Sequence, residues 1–358
     1  MPARLQLAPP PQALTDFEPT ELAVRIGEWG FPPSHADRLL RAFYADNGNV
    51  DLDSILLGKR LCERLRQEVI LRQGAIAATH TSGDGTTKLL IDLARGGAVE
   101  SVMMPAYRPD RAAACVSSQI GCAMGCDFCA STRGGLERNL SAGEIVEQYL
   151  FLRACAAKEG RRLASLVFMG MGEPLANLPN VIRAIRLISD PSLGALGARN
   201  ITVSTVGLVP QIDQLAEADL GVHLALSLHA PDDPTRTMLV PINRKWNVAT
   251  TLAAVMRFAD RTGRVPTIEY CLLRDINDSD AQAKALAGLL DGFRAHVNLI
   301  PHNWIGAGLS GAEHRPPSPE RILRFLNILR DGGTVAHIRR QRGDDVNAAC
   351  GQLRAARV

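Results

Sequence analysis

The stretch "CVSSQIGCAMGCDFC", residues 115–129, contains four of the chain's eight cysteines. Cys122, Cys126 and Cys129 form a Cys-x3-Cys-x2-Cys pattern in a loop that directly follows a predicted strand. Three thiolates on a tight loop can bind three irons of a [4Fe–4S] cube and leave the fourth iron open for another ligand. The alternative is structural zinc, with Cys115 as a fourth ligand. Zinc sites usually draw cysteine pairs from two separate knuckles, whereas Cys115 lies within the strand, so the spacing favours the cluster.

Composition and charge limit the number of domains and the kinds of partner that this chain can have. A length of 358 residues is enough for one large domain and a smaller one, each with its own core. The composition, 46% hydrophobic and 22% charged, is ordinary for a globular protein. The formal charge of +3 excludes a global basic field, so any RNA-binding surface must be local. Two arginine clusters could form one, although a solvated face is the favoured interpretation of such clusters. Their members are Arg60, Arg64, Arg66 and Arg72, and Arg339, Arg340 and Arg342.

The amino terminus and the apolar runs bear on location. The proline-rich start "MPARLQLAPPPQ" has no apolar segment of the kind that a signal peptide needs. No apolar run approaches the length that spans a bilayer. We therefore predict a cytoplasmic protein that makes no membrane contact. In a reducing compartment the cysteines are expected to bind metal or to act in catalysis rather than to form a disulfide framework.

The first third of the chain predicts accessory elements. Residues 1–15 are predicted to be disordered. Residues 16–80 are predicted to form a small helical accessory domain, because three segments with helical patterns each end at a glycine. Residues 81–111 are predicted to form a β-hairpin around the turn "RGGA", residues 95–98.

Residues 112–340 alternate between short β-rich runs and single helices, which predicts an α/β fold with a parallel sheet and right-handed crossovers. Six units of this kind fit a complete or partial (β/α)6 barrel, with a doubly wound open sheet as the alternative. In both folds the active site lies at the carboxyl ends of the strands. The predicted strands are 112–118, 164–169, 200–205, 222–229, 266–273, 296–301 and 334–341, and the predicted helices are 141–158, 178–189, 208–218, 247–262, 279–291 and 318–331.

The cysteine spacing, with Phe128 before the third cysteine, is similar to the signature of the radical S-adenosylmethionine superfamily, whose members have partial (β/α)6 barrels. The segment "GMGEP", residues 170–174, resembles the superfamily's glycine-glutamate segment. The chain more specifically resembles the RlmN/Cfr family of adenine methyltransferases, from about residue 85 to the carboxyl end. The accessory helices fit that family's RNA-binding domain less specifically. The further motifs that carry the resemblance are "STVGLVP", "LSLHAPDD", "LVPINRKW", "VNLIPHN" and "RGDDVNAACGQL".

The resemblance implies one [4Fe–4S] cluster per chain, bound by Cys122, Cys126 and Cys129, and two S-adenosylmethionine molecules per turnover. It also implies an electron donor such as a flavodoxin or a ferredoxin. Viewed alone, His229 would be interpreted as a buried core histidine and Ser204 as a helix cap. The positions that match the family's S-adenosylmethionine-binding residues are Gly172, Glu173, Ser204, Ser227, Leu228, His229 and Asn303.

The resemblance further implies methylation of carbon 2 of an adenine in 23S ribosomal RNA, with transfer RNA as a second candidate substrate. A methyl group is first moved to Cys350, in the carboxyl-terminal tail (residues 341–358), and loses a hydrogen to the deoxyadenosyl radical. The methylene then adds to the adenine, and Glu100 matches the family's proton acceptor. Cys115 matches the cysteine that attacks Cys350, releases the RNA and leaves a disulfide. A disulfide requires Cα atoms within about 7 Å, so the tail is expected to fold over the barrel mouth.

The sequence leaves two alternative functions open, and it departs from the family pattern at two places. The alternatives are Cfr-like methylation of carbon 8, and a zinc-stabilised RNA-binding protein without catalysis. The first departure is "WIGAGLSGAEHRPPSPERI", residues 304–322, where the family has a shorter connection. This segment is interpreted as a lid or as surface variation. The second departure is His302, at a position where an aromatic residue is commoner. The remaining cysteines, Cys62, Cys155 and Cys271, are predicted to be small buried hydrophobes.

Overall fold

The computed structural model describes residues 12–355, which begin with a small helical unit. Its elements are strand β1 (Gln12–Ala13), helices α1 (Pro19–Glu28), α2 (His35–Ala45) and α3 (Lys59–Glu68), and strand β2 (Val69–Ile70). Strands β1 and β2 pair in parallel and close the unit. Apolar residues at helical spacing face one another across the three helices and form its core. The completely buried ones are Leu22, Ile26, Leu39, Leu40, Phe43, Leu61 and Leu65.

This unit differs from the sequence-based expectation at both ends. The helical region predicted through residue 80 ends at Glu68, and Gly74–Thr81 is a strand. The predicted disordered segment 1–15 lies outside the described residues except for its last four positions. For those four the prediction was wrong, since Gln12 and Ala13 pair with β2 and Leu14 is completely buried.

A ten-stranded sheet forms the body of the molecule, in the order β14-β13-β12-β11-β10-β9-β6-β5-β4-β3. Strands β6 and β9 to β14 are parallel, and β3, β4 and β5 extend the sheet as an antiparallel meander that contains the predicted hairpin. Within the described residues β14 and β3 are the free edges, so the barrel is partial. The ten strands of this sheet are β3 (Gly74–Thr81), β4 (Thr87–Leu93), β5 (Ala98–Pro105), β6 (Arg111–Cys115), β9 (Arg162–Phe168), β10 (Ile201–Thr205), β11 (His223–Ser227), β12 (Thr267–Leu272), β13 (His296–Pro301) and β14 (Val335–Ile338). Strands β7 (Gln119–Gly121) and β8 (Leu136–Asn139) form a separate two-stranded sheet.

Helices connect the parallel strands, as the alternating pattern predicts. Five of them are preceded by a residue whose side chain accepts a hydrogen bond from the first-turn backbone, namely Ser141, Asp232, Asn247, Ser279 and Ser318. The helix Asp233–Leu239 is the one that the sequence pattern did not predict, because it is short. The helices are α4 (Ala142–Lys158), α5 (Leu178–Ser189), α6 (Val209–Glu217), α7 (Asp233–Leu239), α8 (Val248–Thr262), α9 (Asp280–Leu289) and α10 (Pro319–Asp331). Across residues 12–355, each helix is too short or too polar to cross a bilayer.

One buried carboxylate joins the helical unit to the barrel. Glu147 on α4 is 1% exposed and accepts hydrogen bonds from the backbone N–H groups of Gln73 and Gly74, each at 2.8 Å. Thr15 Oγ1 donates a third hydrogen bond at 3.4 Å. Burial raises the pKa of Glu147 to about 7, although these donors and Arg72 oppose the change. The carboxyl group is therefore protonated at mildly acidic pH in the folded chain.

Replacing Glu147 with Gln should change how the unfolding free energy depends on pH. Because the folded pKa lies above the unfolded value, Glu147 favours the folded state most below pH 4.5, and this contribution is lost as the pH rises through about 7. Between pH 4.5 and 8 the unaltered chain should lose about 3 kcal/mol of stability relative to Glu147→Gln. Urea unfolding of both proteins at the two pH values measures the difference. The exposed control Glu159→Gln should show none, and a pH-independent difference for Glu147→Gln would contradict the assignment.

Candidate active site

A cavity opens at the carboxyl ends of the parallel strands and encloses about 900 Å³, including its mouth. Residues from the loop after β7, from the carboxyl-terminal halves of β9 to β13 and the turns that follow β9, β10, β11 and β13, and from the chain after β14 form its wall. This arrangement brings together nine residues that the sequence marked as functional. They are Cys122, Cys126, Cys129, Gly172, Glu173, Ser204, Ser227, His229 and Cys350.

The three predicted cluster cysteines lie on the loop between β7 and β8, here named the cysteine loop (residues 122–135). Strands β7 and β8 pair antiparallel and hold the two ends of the loop together. Gly121 has a φ of 73°, and a Cβ there would lie 2.0 Å from the carbonyl oxygen of Gly135, so only glycine fits. The Cys129 N–H donates to the carbonyl of Cys126 at 3.1 Å. The sequence therefore folds this segment into a tight turn with its thiols toward the cavity.

The three thiols fit an iron–sulfur cluster. All three are free, and burial raises the pKa of Cys122 to about 12 and the pKa values of Cys126 and Cys129 in the same direction. Thiolates are stable in such a place only beside strong positive charge, which bound iron supplies. Across residues 12–355, no three His, Cys, Asp or Glu side chains lie close enough to share a single metal ion. A cube does not require this, because each cysteine binds its own iron.

Glu173 forms the wall of the cavity next to the thiols. Its Oε2 accepts a hydrogen bond from the Val206 N–H at 2.9 Å, and its Oε1 accepts one from the Leu175 N–H at 3.0 Å. Gly172 precedes it with a φ of 95°, where a Cβ would lie 2.5 Å from Cβ of Gln119. Burial raises the pKa of Glu173 to about 7. A cationic group in the cavity would stabilise the carboxylate, which suits the amino group of a methionine moiety.

His229 is both buried and part of the cavity wall. Its Nδ1 accepts a hydrogen bond from the Cys271 N–H at 3.0 Å, so the ring proton is on Nε2. Burial lowers the pKa of His229 to about 3, and the ring is therefore neutral. The Phe128 ring packs edge-on against it, with centroids 4.6 Å apart. The neighbouring Ser204 and Ser227 hydroxyl oxygens are 3.5 Å apart on adjacent strands.

Arg236 on α7 is a residue that the sequence analysis missed. It is completely buried, and its guanidinium donates to the carbonyls of Leu228 and Val206, at 3.0 and 2.6 Å, and to Asn243 Oδ1 at 2.8 Å. These bonds fix the ends of β10 and β11. Leu228 itself does not line the cavity and contributes its carbonyl to this network. No sequence signal identifies Arg236, because an arginine on a short polar helix is usually exposed.

The carboxyl-terminal tail folds over the strand ends, as predicted. The Ala130 N–H donates to the Gly351 carbonyl at 2.7 Å, and Ser131 Oγ donates to the Leu353 carbonyl at 2.6 Å. Asn303 Nδ2 donates to the Cys350 carbonyl at 2.9 Å. Asn303, a predicted cofactor-binding residue, therefore contacts the tail in this structure. The tail is held by the cysteine loop on one side and by the loop after β13 on the other.

A second cavity adjoins the first, and Cys350 lines both. Cys115 and Asn303 line the second cavity only, together with Arg340 and Arg342. Arg339 lines both cavities, which corrects its interpretation as part of a solvated face. Its guanidinium lies 3.8 Å from the carboxylate of Glu269, and negative charge on Cys350 and then on Glu269 raises its pKa further. Burial raises the pKa of Cys115 to about 12, and Arg339 opposes that change.

Glu100 lines neither cavity in this structure. It is 3% exposed, and its Oε1 forms an ion pair with Lys88 Nζ at 2.9 Å. Its Oε2 accepts hydrogen bonds from the backbone N–H groups of Arg354 and Ala355, at 2.8 and 3.2 Å. Both carboxylate oxygens are therefore engaged, and Glu100 anchors the end of the tail.

Comparisons with known proteins agree with this geometry. The family profile described as the Radical SAM superfamily matches residues 116–286. The probable dual-specificity RNA methyltransferase RlmN 1 of Opitutus terrae is 52% identical, over 96% of this chain and 97% of that protein. The corresponding protein of Symbiobacterium thermophilum is 43% identical, over 96% and 91%. A radical SAM methyltransferase from Sphaerobacter thermophilus has a crystal structure with a TM-score of 0.92 and 44% identity, over 97% of this chain and all of that chain.

The chain belongs to the RlmN family. As a radical SAM enzyme of this family it uses a [4Fe–4S] cluster and S-adenosylmethionine, which confirms the predicted cofactors. Membership also confirms the predicted partial barrel and excludes the alternative of a zinc-stabilised protein without catalysis.

Glu173→Gln should weaken S-adenosylmethionine binding to the cluster-loaded chain. The substitution keeps the shape of the side chain but removes the negative charge that a methionine amino group would meet. Loss of one hydrogen bond between charged groups should raise the Kd about tenfold to a hundredfold. Anaerobic isothermal titration calorimetry measures this, with the exposed Glu217→Gln on α6 as a matched control. Equal affinities in both variants would remove Glu173 from the binding site.

Proposed function

We propose that this chain methylates carbon 2 of an adenine in 23S ribosomal RNA, with transfer RNA as a second substrate, in the cytoplasm. A flavodoxin or ferredoxin would supply its electrons. The near full-length similarity to relatives named as probable dual-specificity RNA methyltransferases supports this proposal. The arginines that line the second cavity, Arg339, Arg340 and Arg342, give an RNA substrate positive charge to approach.

The observation that carries the proposal is the position of Cys350. Cys350 lines the first cavity, which contains the predicted cofactor-binding side chains, and also the second cavity, which Cys115 lines. A sulfur at this border can receive a group from one cavity and present it to a substrate in the other. An adenine carbon has no acidic hydrogen for simple displacement, so a carrier of this kind suits the reaction.

The residues of the first cavity would hold the cofactors. Cys122, Cys126 and Cys129 would bind the cluster, and Glu173 would bind the methionine amino group. The neutral ring of His229, with its Nε2–H, would contact the nucleoside, alongside the other strand-end residues Gly172, Ser204, Ser227, Leu228 and Asn303. When bound, the cofactors supply methyl transfer and hydrogen abstraction.

The residues of the second cavity would complete the reaction. Cys350 would carry the one-carbon unit to the adenine as a covalent link, and the Cys115 thiolate would then attack Cys350 Sγ. The attack forms the Cys115–Cys350 disulfide and breaks the bond between Cys350 Sγ and the carbon, whose electron pair stays with the carbon. Uptake of a proton at that carbon completes the methyl group and releases the methylated RNA. The positive charge of Arg339 favours the thiolate of Cys115 that this attack requires.

Glu100 is proposed as the acceptor of the ring proton. In this structure its Oε2 is occupied by two backbone N–H groups of the tail and its Oε1 by Lys88. The end of the tail would therefore have to leave Glu100 before the carboxylate can take a proton.

Mass spectrometry of nucleosides from cells with and without this chain tests the reaction. Loss of 2-methyladenosine from 23S ribosomal RNA and from transfer RNA is the expected result. Loss of 8-methyladenosine would instead assign Cfr-like chemistry, and an unchanged nucleoside profile would contradict the proposal.

Cys115→Ala should trap the chain on its RNA. The predicted cluster cysteines and Cys350 are intact in this variant, so the covalent link to adenine can form. No thiol is left to attack Cys350, and a protein–RNA adduct should accumulate while the yield of methylated RNA falls about a hundredfold. Denaturing gel electrophoresis with labelled RNA detects the adduct.

Two further variants control this experiment. Cys115→Ala combined with Cys350→Ala should form no adduct, and Cys155→Ala on α4 should release product at the normal rate. Normal release by Cys115→Ala would show that another group resolves the link.

A further inference from the structure

The segment after β13 that departs from the family pattern, residues 304–318, packs directly on the cysteine loop. Arg133, at the end of the cysteine loop, donates hydrogen bonds to the carbonyls of Ile305 and Ala307. Gly308 approaches so closely that a Cβ there would lie 2.2 Å from the carbonyl oxygen of Asp127. The segment therefore covers the cysteine loop rather than extending into solvent.

Asp127 is the centre of this contact. It lies between Cys126 and Cys129 and is 7% exposed. Its Oδ1 accepts a hydrogen bond from the Ser310 N–H at 2.7 Å, and its Oδ2 accepts one from Ser310 Oγ at 2.7 Å. His314 Nε2 lies 2.7 Å from the same Oδ2 and is the third hydrogen-bonding group on this carboxylate. One carboxylate between two predicted cluster ligands thus binds three groups of a single loop.

The contact continues into the wall of the cofactor cavity. His314 is 4% exposed, and its ring packs edge-on against His302, with centroids 6.0 Å apart. His302 lines the cavity, and its Nδ1 lies 3.8 Å from Sγ of Cys271 on β12. The two departures from the family pattern, His302 and the long loop, are therefore parts of one network.

We propose that residues 304–318 form a clasp that holds the cysteine loop in place and slows loss of the iron–sulfur cluster. Asp127, Ser310 and His314 are its positioning residues. Iron leaves when the loop opens and the thiols separate, and opening must first break the bonds to Asp127. The clasp lowers the population of the open loop and with it the rate of iron release. This goes beyond the proposed RNA methylation and does not depend on it.

Iron release into an excess of a ferrous chelator tests the clasp, with cluster-loaded protein under anaerobic conditions and no RNA present. Ser310→Ala and His314→Ala should each release iron about tenfold faster, the factor expected for one hydrogen bond to a charged group. His314→Gln keeps an N–H donor and should restore slow release. Ser192→Ala removes an exposed hydroxyl that donates to Asp190 Oδ1 at 2.6 Å just after the end of α5, and it should leave the rate unchanged.

Hydrogen exchange of the cluster-free chain separates this role from a general loss of stability. In Ser310→Ala and His314→Ala the amides of residues 126–133 should exchange about tenfold faster, while those of α5 stay as they were. Iron release at the control rate in both variants would overturn the proposal. Faster exchange spread evenly over the cysteine loop and α5 would also overturn it. Because no methylation is measured, failure of the proposed function would not imitate either result.

Discussion

Parallel pairing of β6 with β9, and of each later strand with the next, brings the carboxyl ends of seven strands to the same edge of the sheet. The backbone hydrogen bonds between neighbouring strands fix this common direction, and each connecting helix returns the chain to the opposite edge of the sheet. Residues as distant in sequence as Cys122 and Cys350 therefore reach one cavity. The antiparallel strands β3 to β5 add a wall beside β6, from which Glu100 and Lys88 reach the tail.

The polar groups in the cavity wall and directly behind it are buried and already held by hydrogen bonds. Glu173 and Arg236 are buried, and each is hydrogen-bonded to backbone groups at the strand ends. His229 is neutral because burial lowers its pKa to about 3. In an apolar wall, polar groups that are fixed in advance need no rearrangement when a charged ligand enters. The cavity thus combines low polarity with a few oriented dipoles and charges.

Local sequence patterns predicted much of this arrangement. The six long barrel helices begin and end within two residues of the predicted segments, because apolar spacing and capping residues are local signals. The cysteine loop and Glu173 were found from motifs. Arg236 and the contacts of Glu100 were not, because their partners lie on other strands and no local pattern records them. Strand β3 was missed for a similar reason, since most of its side chains are exposed and it lacks an apolar run.

The segment between β14 and Cys350 is anchored at both ends, so the distance that it spans is fixed. Leu299 accepts a hydrogen bond from the Arg339 N–H at 2.8 Å at one end, and Asn303 binds the Cys350 carbonyl at the other. The sulfur reaches the border of the two cavities only if the chain between these anchors has its present length. Substitutions in this segment can be tolerated one by one, whereas inserting or deleting a residue would move Cys350 away from one cavity or the other. Variation in length among relatives is thus expected elsewhere, in segments such as 304–318 that pack on the cysteine loop and do not carry the Cys350 sulfur.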